Sequence, residues 1–323
     1  MMKLSVIITC YNFEAVIVRC IDSVVKQLDD TNNADVEVIV VDDVSKDASV
    51  RVISDYISGH SGRNIRLVCR EHNGGVCAAK NTGLSVAKGE YLWILDGDDY
   101  VSDGSLAVVL KAISDYPDQE IITFDARFHY PDELVVEKRD MPASKSINGI
   151  DFFKKNYVVC PWRNIISASY LKKHNISFTD GVVPDDVEFG LKLFGYAERI
   201  TYVPESIYEY IIQDTSITNK FNERKPYSLF AVVDSAIKLY NYRKDRCFLK
   251  FAVDIANMIW TCDCPQMNNV QKRDYIKAVE ANKDQIVFCL RSSGSLFAKA
   301  EAILLIISVA SFLNLVIFYK RIR

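Results

Sequence analysis

The sequence predicts an α/β protein with a mostly parallel sheet flanked by helices (residues 1–222), a C-terminal helical appendage (223–294) and a hydrophobic tail helix with a basic end (295–323). Three observations predict it. Short β-rich runs alternate with helix-like segments through the first 96 residues, helical periodicity takes over after residue 223, and an uncharged apolar run fills residues 302–319.

The runs at 4–9, 36–41, 65–69 and 91–95 are rich in Val, Ile and Leu, as strands buried on both faces must be. Between them, 14–28, 48–58 and 76–87 space their apolar residues as helices do. Alternation of this kind gives a parallel sheet, and such sheets bind ligands beyond the carboxyl ends of their strands. Polar residues gather at those ends: Thr9, Tyr11 and Asn12 after the first run, Asp42 and Asp43 after the second, and Asp96, Asp98 and Asp99 after the fourth. Beyond Asp125 the pattern predicts a hairpin near 130–142, a helix from Asp151, an apolar run at Ile165 and a helix opening with Asp185 and Asp186. Leu229, Val232, Val233, Ala236, Ile237 and Tyr240 then keep helical spacing.

Composition narrows the classes. With 323 residues, 49% hydrophobic and 25% charged, the chain is long enough for a large core. A net charge of -3 gives no basic field, which argues against a nucleic-acid partner. Nine cysteines, an odd and unpatterned set, read as reduced thiols, and neither they nor the four scattered histidines have zinc spacing. The apolar run at the N-terminus is too short for a signal peptide and reads as a buried strand. A GxGxxG turn, which a dinucleotide-dependent oxidoreductase would carry after its first strand, is replaced by TCYNFE. A phosphatase with a nucleophilic aspartate would place its DxD after the first strand, whereas here it comes later.

Asp96 and Asp98 form a DxD at a strand end, where alternate residues point the same way and carboxylates can reach a divalent cation. A solvated acidic turn, or a cap before Ser102, would look the same. Asp42 and Asp43 precede the natural cap residues Ser45 and Asp47, so one of them is available to a base or ribose. Asn73, Gly74 and Gly75 form either a tight connection or an anion cradle at the start of a helix, with Lys80 one turn in. Asp185 and Asp186 are either ordinary first-turn acids or a second acidic site holding a general base. Trp162 is either a core aromatic or a platform for a sugar ring.

The blocks SVIITCYN, VIVVDDVSKDAS, HNGGVCAAKNTGLSVAKGEYLWILDGDDY, PWRNIISASYLKKHNISF, PDDVEFGLKLF and YEYIIQDTSIT stand in one order over residues 3–220. Together they resemble the family 2 glycosyltransferases, inverting nucleotide-sugar enzymes of the GT-A fold, similar to those that build bacterial surface polysaccharides. The resemblance implies that Thr9, Tyr11, Asn12, Asp43, Asn73, Gly74, Lys80, Asp96 and Asp98 bind the donor. It implies a manganese or magnesium ion held at Asp98 with Asp96, Asp186 as catalytic base, and Trp162 and Asp185 toward the acceptor. The chain departs from the family at Asp185, where glutamate is usual, at Lys80, where arginine is common, and at Ile211 and Ile212, where a basic residue often follows the tyrosine. The competing class is a non-catalytic nucleotide-sugar-binding or scaffold subunit of a polysaccharide assembly complex. Retention of both Asp98 and Asp186 speaks against it.

The 18 uncharged residues at 302–319 would extend about 27 Å as one helix, short of a hydrocarbon core of about 30 Å. A full span would also export Lys320, Arg321 and Arg323, against the positive-inside tendency. The expectation is a helix seated on, or re-entering, the cytoplasmic face of the cell membrane, which suits a polyprenyl-diphosphate-linked acceptor or another glycan. A buried helix, or contact with a second copy of the chain, is the plainer account of the same run.

Overall fold

The computed structural model describes residues 2–156, 160–212 and 221–322, with side chains described as far as Val316. The chain forms two compact units, Met1–Asp180 with Ala197–Gln213, and Gly181–Tyr196 with Asp214–Arg323. The expected boundaries at 222/223 and 294/295 fall elsewhere. The helix that opens with Asp185 clusters with the second unit, and so does the tail.

The first unit is built on β1 (Leu4–Cys10), β2 (Val36–Asp42), β3 (Ile65–Cys69) and β4 (Tyr91–Asp96), with α1 (Ile17–Val25), α2 (Ser49–Gly59) and α3 (Gly75–Val86) between them. All seven residues of β1 and of β2 are buried, as strands covered on both faces require. These four strands are mutually parallel in the order β3, β2, β1, β4. Register pairs Cys10 with Asp42, Asp42 with Cys69, and Thr9 with Asp96, so the strand ends rich in acids and hydroxyls share one edge.

The rest of the sheet corrects the mostly parallel expectation. It adds β5 (Tyr100–Val101), β6 (Ile121–His129), β7 (Leu134–Glu137), β8 (Asn164–Ser167) and β9 (Ile200–Ile211). The short β8 lies antiparallel between β4 and β6, β7 folds back on β6 as the expected hairpin, β5 runs antiparallel to β9, and only β6 and β9 are parallel. The sheet is therefore mixed. Residue pattern marks a strand and its buried faces, but strand direction comes from how the chain re-enters the sheet, and that is a non-local choice. Helices α4 (Ser105–Asp115), α5 (Gly149–Phe153) and α6 (Ala168–His174) complete the unit.

The second unit is helical: α7 (Asp185–Gly195), α8 (Ser228–Arg243), α9 (Cys247–Met258), α10 (Asn269–Ala281), α11 (Lys283–Ser292), α12 (Leu296–Ile307) and α13 (Val309–Ile322). Glu188 of α7 is buried, accepting a hydrogen bond from the Ser235 hydroxyl of α8 and pairing with Lys192 at 2.8 Å. The single tail helix expected over 302–319 is instead two helices. Ser308 is extended at φ −164° and ψ 116°, and its hydroxyl accepts the Ser311 N–H at 3.2 Å, ending α12 and capping α13. Phe312 then packs edge-on against Trp260 with ring centroids 4.9 Å apart. Among the described residues no helix is long and apolar enough to cross a membrane.

Candidate active site at the carboxyl edge of the sheet

The loops after β1 and β2 are tied together before any ligand is considered. The Asn12 N–H donates to the Ser45 hydroxyl at 2.9 Å, and the Asn12 side-chain oxygen accepts the Lys46 N–H at 2.7 Å. Phe13 N–H donates to the Ser49 hydroxyl, and Ala48 N–H donates to the Glu14 carboxylate at 2.7 Å. Asn12, at φ +57°, is thus a loop lock, while Tyr11 is left exposed beside it. Thr9 is buried one strand away from Asp96.

Asp43 behaves differently from the expectation of an anion cradle at Gly74. Its carboxylate is buried and accepts the Gly74 N–H at 3.1 Å and the Gly75 N–H at 2.7 Å, and it pairs with Arg70. Its backbone carbonyl accepts from the Asn73 side chain at 2.8 Å. The start of α3 therefore already holds an anion, supplied by the chain itself. Gly75, at φ +82°, makes the turn that aims both N–H groups at Asp43. Beside it, Asp42 accepts the Ser45 N–H at 2.9 Å through one oxygen, while its other oxygen is buried without a hydrogen-bond partner among the described residues.

At the end of β4, Lys80 is almost wholly buried and its ammonium lies 2.8 Å from Asp96. It offsets that carboxylate instead of standing free for phosphate, and it lies over the Phe178 ring at 5.3 Å. Gly97 is required by close approach, because a Cβ there would sit 2.4 Å from the Thr9 carbonyl oxygen. The turn then delivers Asp98, which has no ion-pair partner among the described residues. Burial first, and the Asp96 charge second, push its carboxyl up to about 6. Asp99 is buried and structural, accepting the Tyr208 hydroxyl at 2.7 Å and the Ile211 N–H at 2.8 Å, while its own burial holds its pKa well above the carboxylate range. The Tyr208 oxygen in turn accepts the Asp96 N–H at 3.3 Å.

Among the described residues no cluster of three or more His, Cys, Asp or Glu side chains is placed to hold a metal. A small hard cation needs no such cage. It is commonly held by one or two carboxylates together with substrate phosphates, and a carboxylate whose charge is penalised by burial and a like neighbour fits that use.

Trp162 corrects the platform reading. It is 4% exposed, stacked on Tyr208 at 4.4 Å and on Tyr210 at 5.5 Å, and its carbonyl accepts the Trp93 indole N–H at 2.8 Å. So little of it reaches the surface that it offers no ring to a sugar. Asp185 and Asp186 are partly buried in the first turn of α7, in the second unit. Of the block YEYIIQDTSIT, residues 213–218 lie outside the described residues. Sequence reasoning missed Arg70, Tyr208 and Arg19, whose guanidinium donates to the Asp98 carbonyl at 2.5 Å and lies over the Tyr100 ring at 4.9 Å. Nothing in their local sequence sets them apart from surface arginines and a strand tyrosine.

The fold and this edge define an α/β protein that gathers carboxylates where nucleotides bind in open sheets. Residues 5–174, just over half of the chain, match glycosyl transferase family 2, and the chain belongs to that family. It is 28% identical over 230 residues to the uncharacterized glycosyltransferase EpsJ of Bacillus subtilis, covering 66% of this chain and 62% of EpsJ. It is also 28% identical over 228 residues to the poly(ribitol-phosphate) beta-N-acetylglucosaminyltransferase TarS of Staphylococcus aureus, covering 65% of this chain and 35% of TarS. The chain thus spans less than two thirds of these relatives. In structure it is similar to residues 1–349 of S. aureus TarS solved with UDP-GlcNAc, at a TM-score of 0.79 and 18% identity over 99% of this chain and 92% of that one. A mannosyltransferase of Pyrobaculum calidifontis, solved with GDP-Man and Mn2+, matches at 0.52 and 16% identity, over 98% of this chain and 86% of that one. The fold is GT-A-like, with a curled mixed sheet.

Proposed function

We propose that this chain is an inverting glycosyltransferase that moves a sugar from a nucleoside diphosphate sugar, a UDP-sugar by preference, to a hydroxyl of a glycan or polyprenyl-diphosphate-linked acceptor in cell-surface polysaccharide synthesis. The observation that carries this reading is Asp98, a carboxylate presented at the end of β4 with no ion-pair partner among the described residues, beside an Asp96 already paired with Lys80. Family membership and the nucleotide-sugar complexes of structural neighbours support it.

In this reading Asp98, with Asp96, would hold a manganese or magnesium ion, which would supply positive charge to the diphosphate of the donor. Tyr11, on the exposed side of the locked β1 loop, borders the base. Asp186 takes the proton from the acceptor hydroxyl as its oxygen attacks the anomeric carbon. The bond from that carbon to the diphosphate oxygen breaks on the opposite side, which inverts the configuration.

A thermal-shift panel of nucleotide sugars with manganese, magnesium or chelator tests the reading. A ligand at 100 times its dissociation constant adds about 2.7 kcal/mol to stability, a readily seen shift. One nucleotide is expected to stabilise the protein in a metal-dependent way that Asp98→Ala removes. Transfer to an acceptor is expected to fall about 100-fold or more in Asp186→Asn. Folded protein stabilised by no nucleotide would favour the non-catalytic scaffold subunit, and full transfer by Asp186→Asn would remove the base assignment.

A further inference from the structure

Helix α12 has one covered side and one exposed, largely apolar side. Ala298, Glu301, Ala302 and Leu305 are buried on one face. On the other, Leu296 and Ile307 are 82% and 74% exposed, and Phe297, Ile303, Leu304 and Ile306 are each more than two-fifths exposed. Leu296, Ala300, Ile303 and Ile307 fall at helical spacings of four, three and four, so the exposed residues form one continuous face of about half the cylinder. An apolar face on this scale is unusual on a soluble monomer and marks a contact surface.

Charge identifies what it contacts. Among residues 291–316, Arg291 and Lys299 stand against one acid, Glu301, and that acid is buried. Arg291 and Lys299 are exposed, and Lys299 stands within the apolar face, where its long stem can carry the ammonium out to a polar boundary. Lys299 is the one hydrogen-bonding side chain on this face, whereas a protein partner would ordinarily find about one hydrogen bond per 100–200 Å². Aliphatic side chains interrupted only by a long lysine match acyl chains beneath anionic headgroups.

We propose that the outer face of α12 seats this chain on an anionic bilayer surface, such as the cytoplasmic leaflet of a cell membrane, lying in the interface and not spanning it. The seat takes the place of the single hydrophobic tail helix expected from sequence, and it stands independently of the transfer reaction.

Co-sedimentation of the full chain with vesicles tests it, using phosphatidylethanolamine with one third phosphatidylglycerol against neutral phosphatidylcholine, and sedimentation velocity without lipid. The wild type is expected to pellet with the anionic vesicles and to be released by raised salt. Ile303→Ser with Ile307→Ser, both at exposed positions, is expected to need about tenfold more lipid or higher, since each isoleucine forfeits its apolar burial. Leu296→Ser with Phe297→Ser repeats the measurement at the other end of the face, and circular dichroism confirms folding. Wild type that stays in the supernatant, or binds no better than both variants, overturns the proposal. A dimer that the same variants dissociate, without vesicle binding, assigns the face to a second copy instead.

Discussion

Two strand ends in this molecule look alike on paper and differ in chemistry. The pair Asp42–Asp43 follows the buried strand β2, and the trio Asp96, Asp98 and Asp99 follows the buried strand β4. At β2 the chain answers Asp43 with its own donors, the Arg70 guanidinium and the N–H groups of Gly74 and Gly75. At β4 it answers Asp96 with Lys80 and Asp99 with Tyr208 and the Ile211 N–H, and gives Asp98 no ion-pair partner among the described residues. An acid at a sheet edge is structural when the fold supplies its partners. It becomes a binding group when the fold withholds them, because an external cation then gains what the folded chain left unrelieved.

Neutralising Asp98 gives the largest expected change in activity. Asp98→Asn should lower kcat/KM about 1,000-fold while the melting temperature holds or rises, since a half-buried carboxylate with a raised pKa weakens the fold when ionised. A strongly destabilised Asp98→Asn would erase the contrast with Asp43. The converse holds at β2, where removing one partner of a buried pair costs about 3–5 kcal/mol. Asp43→Ala and Arg70→Ala should both show that loss by urea unfolding. A fully stable Asp43→Ala that no longer binds nucleotide would move Asp43 from the structural side of the comparison to the ligand.

A smaller effect is expected at the hydroxyl that steadies the β4 turn. Tyr208→Phe removes the donor to Asp99 and the acceptor of the Asp96 N–H, at a cost of about 1–3 kcal/mol, and should raise the metal concentration needed for half-maximal activity. Tyr208→Phe with wild-type metal dependence would limit the hydroxyl to a packing role.

The pH dependence is the mildest test. With its pKa raised from 3.8 to about 6, folded Asp98 holds its proton more tightly than the unfolded chain does. Its contribution to stability is therefore lost as pH rises from about 4 through 6, so the gain from Asp98→Asn should shrink toward pH 4. A cation must displace that proton below pH 6, so metal affinity should fall about tenfold per pH unit there. Calorimetric titration of manganese between pH 5 and 7.5 measures it, and a flat profile would place the cation elsewhere.

Much of the site edge was legible in the sequence because its signals are local. The apolar runs ending in Thr9, Asp42 and Asp96 mark strands of one sheet, and parallel alternation places their ends together. The glycines at 74 and 75 announce a turn, and the hairpin of β6 and β7 follows from its polar interruption. The partners of those residues were not legible. Lys80 reads as a free cation until Asp96 is found 2.8 Å away, and Trp162 stays open between core aromatic and platform until its burial beside Tyr208 and Tyr210 decides for the core. Arg70, 27 residues from Asp43, carries no local mark of its role.

The sequence by itself determined the alternating elements, the burial of β1 and β2, the acidic strand ends and the family, since all of these rest on residue type and short-range spacing. Only the tertiary structure decided that the sheet is mixed, that the tail breaks at Ser308, that a largely apolar face of α12 stays outside, and that Asp43 is paired within the fold while Asp98 has no ion-pair partner among the described residues. The reason is physical. Periodicity encodes which face of an element seeks burial, whereas strand direction, charge partnership and desolvation depend on groups brought together from distant parts of the chain.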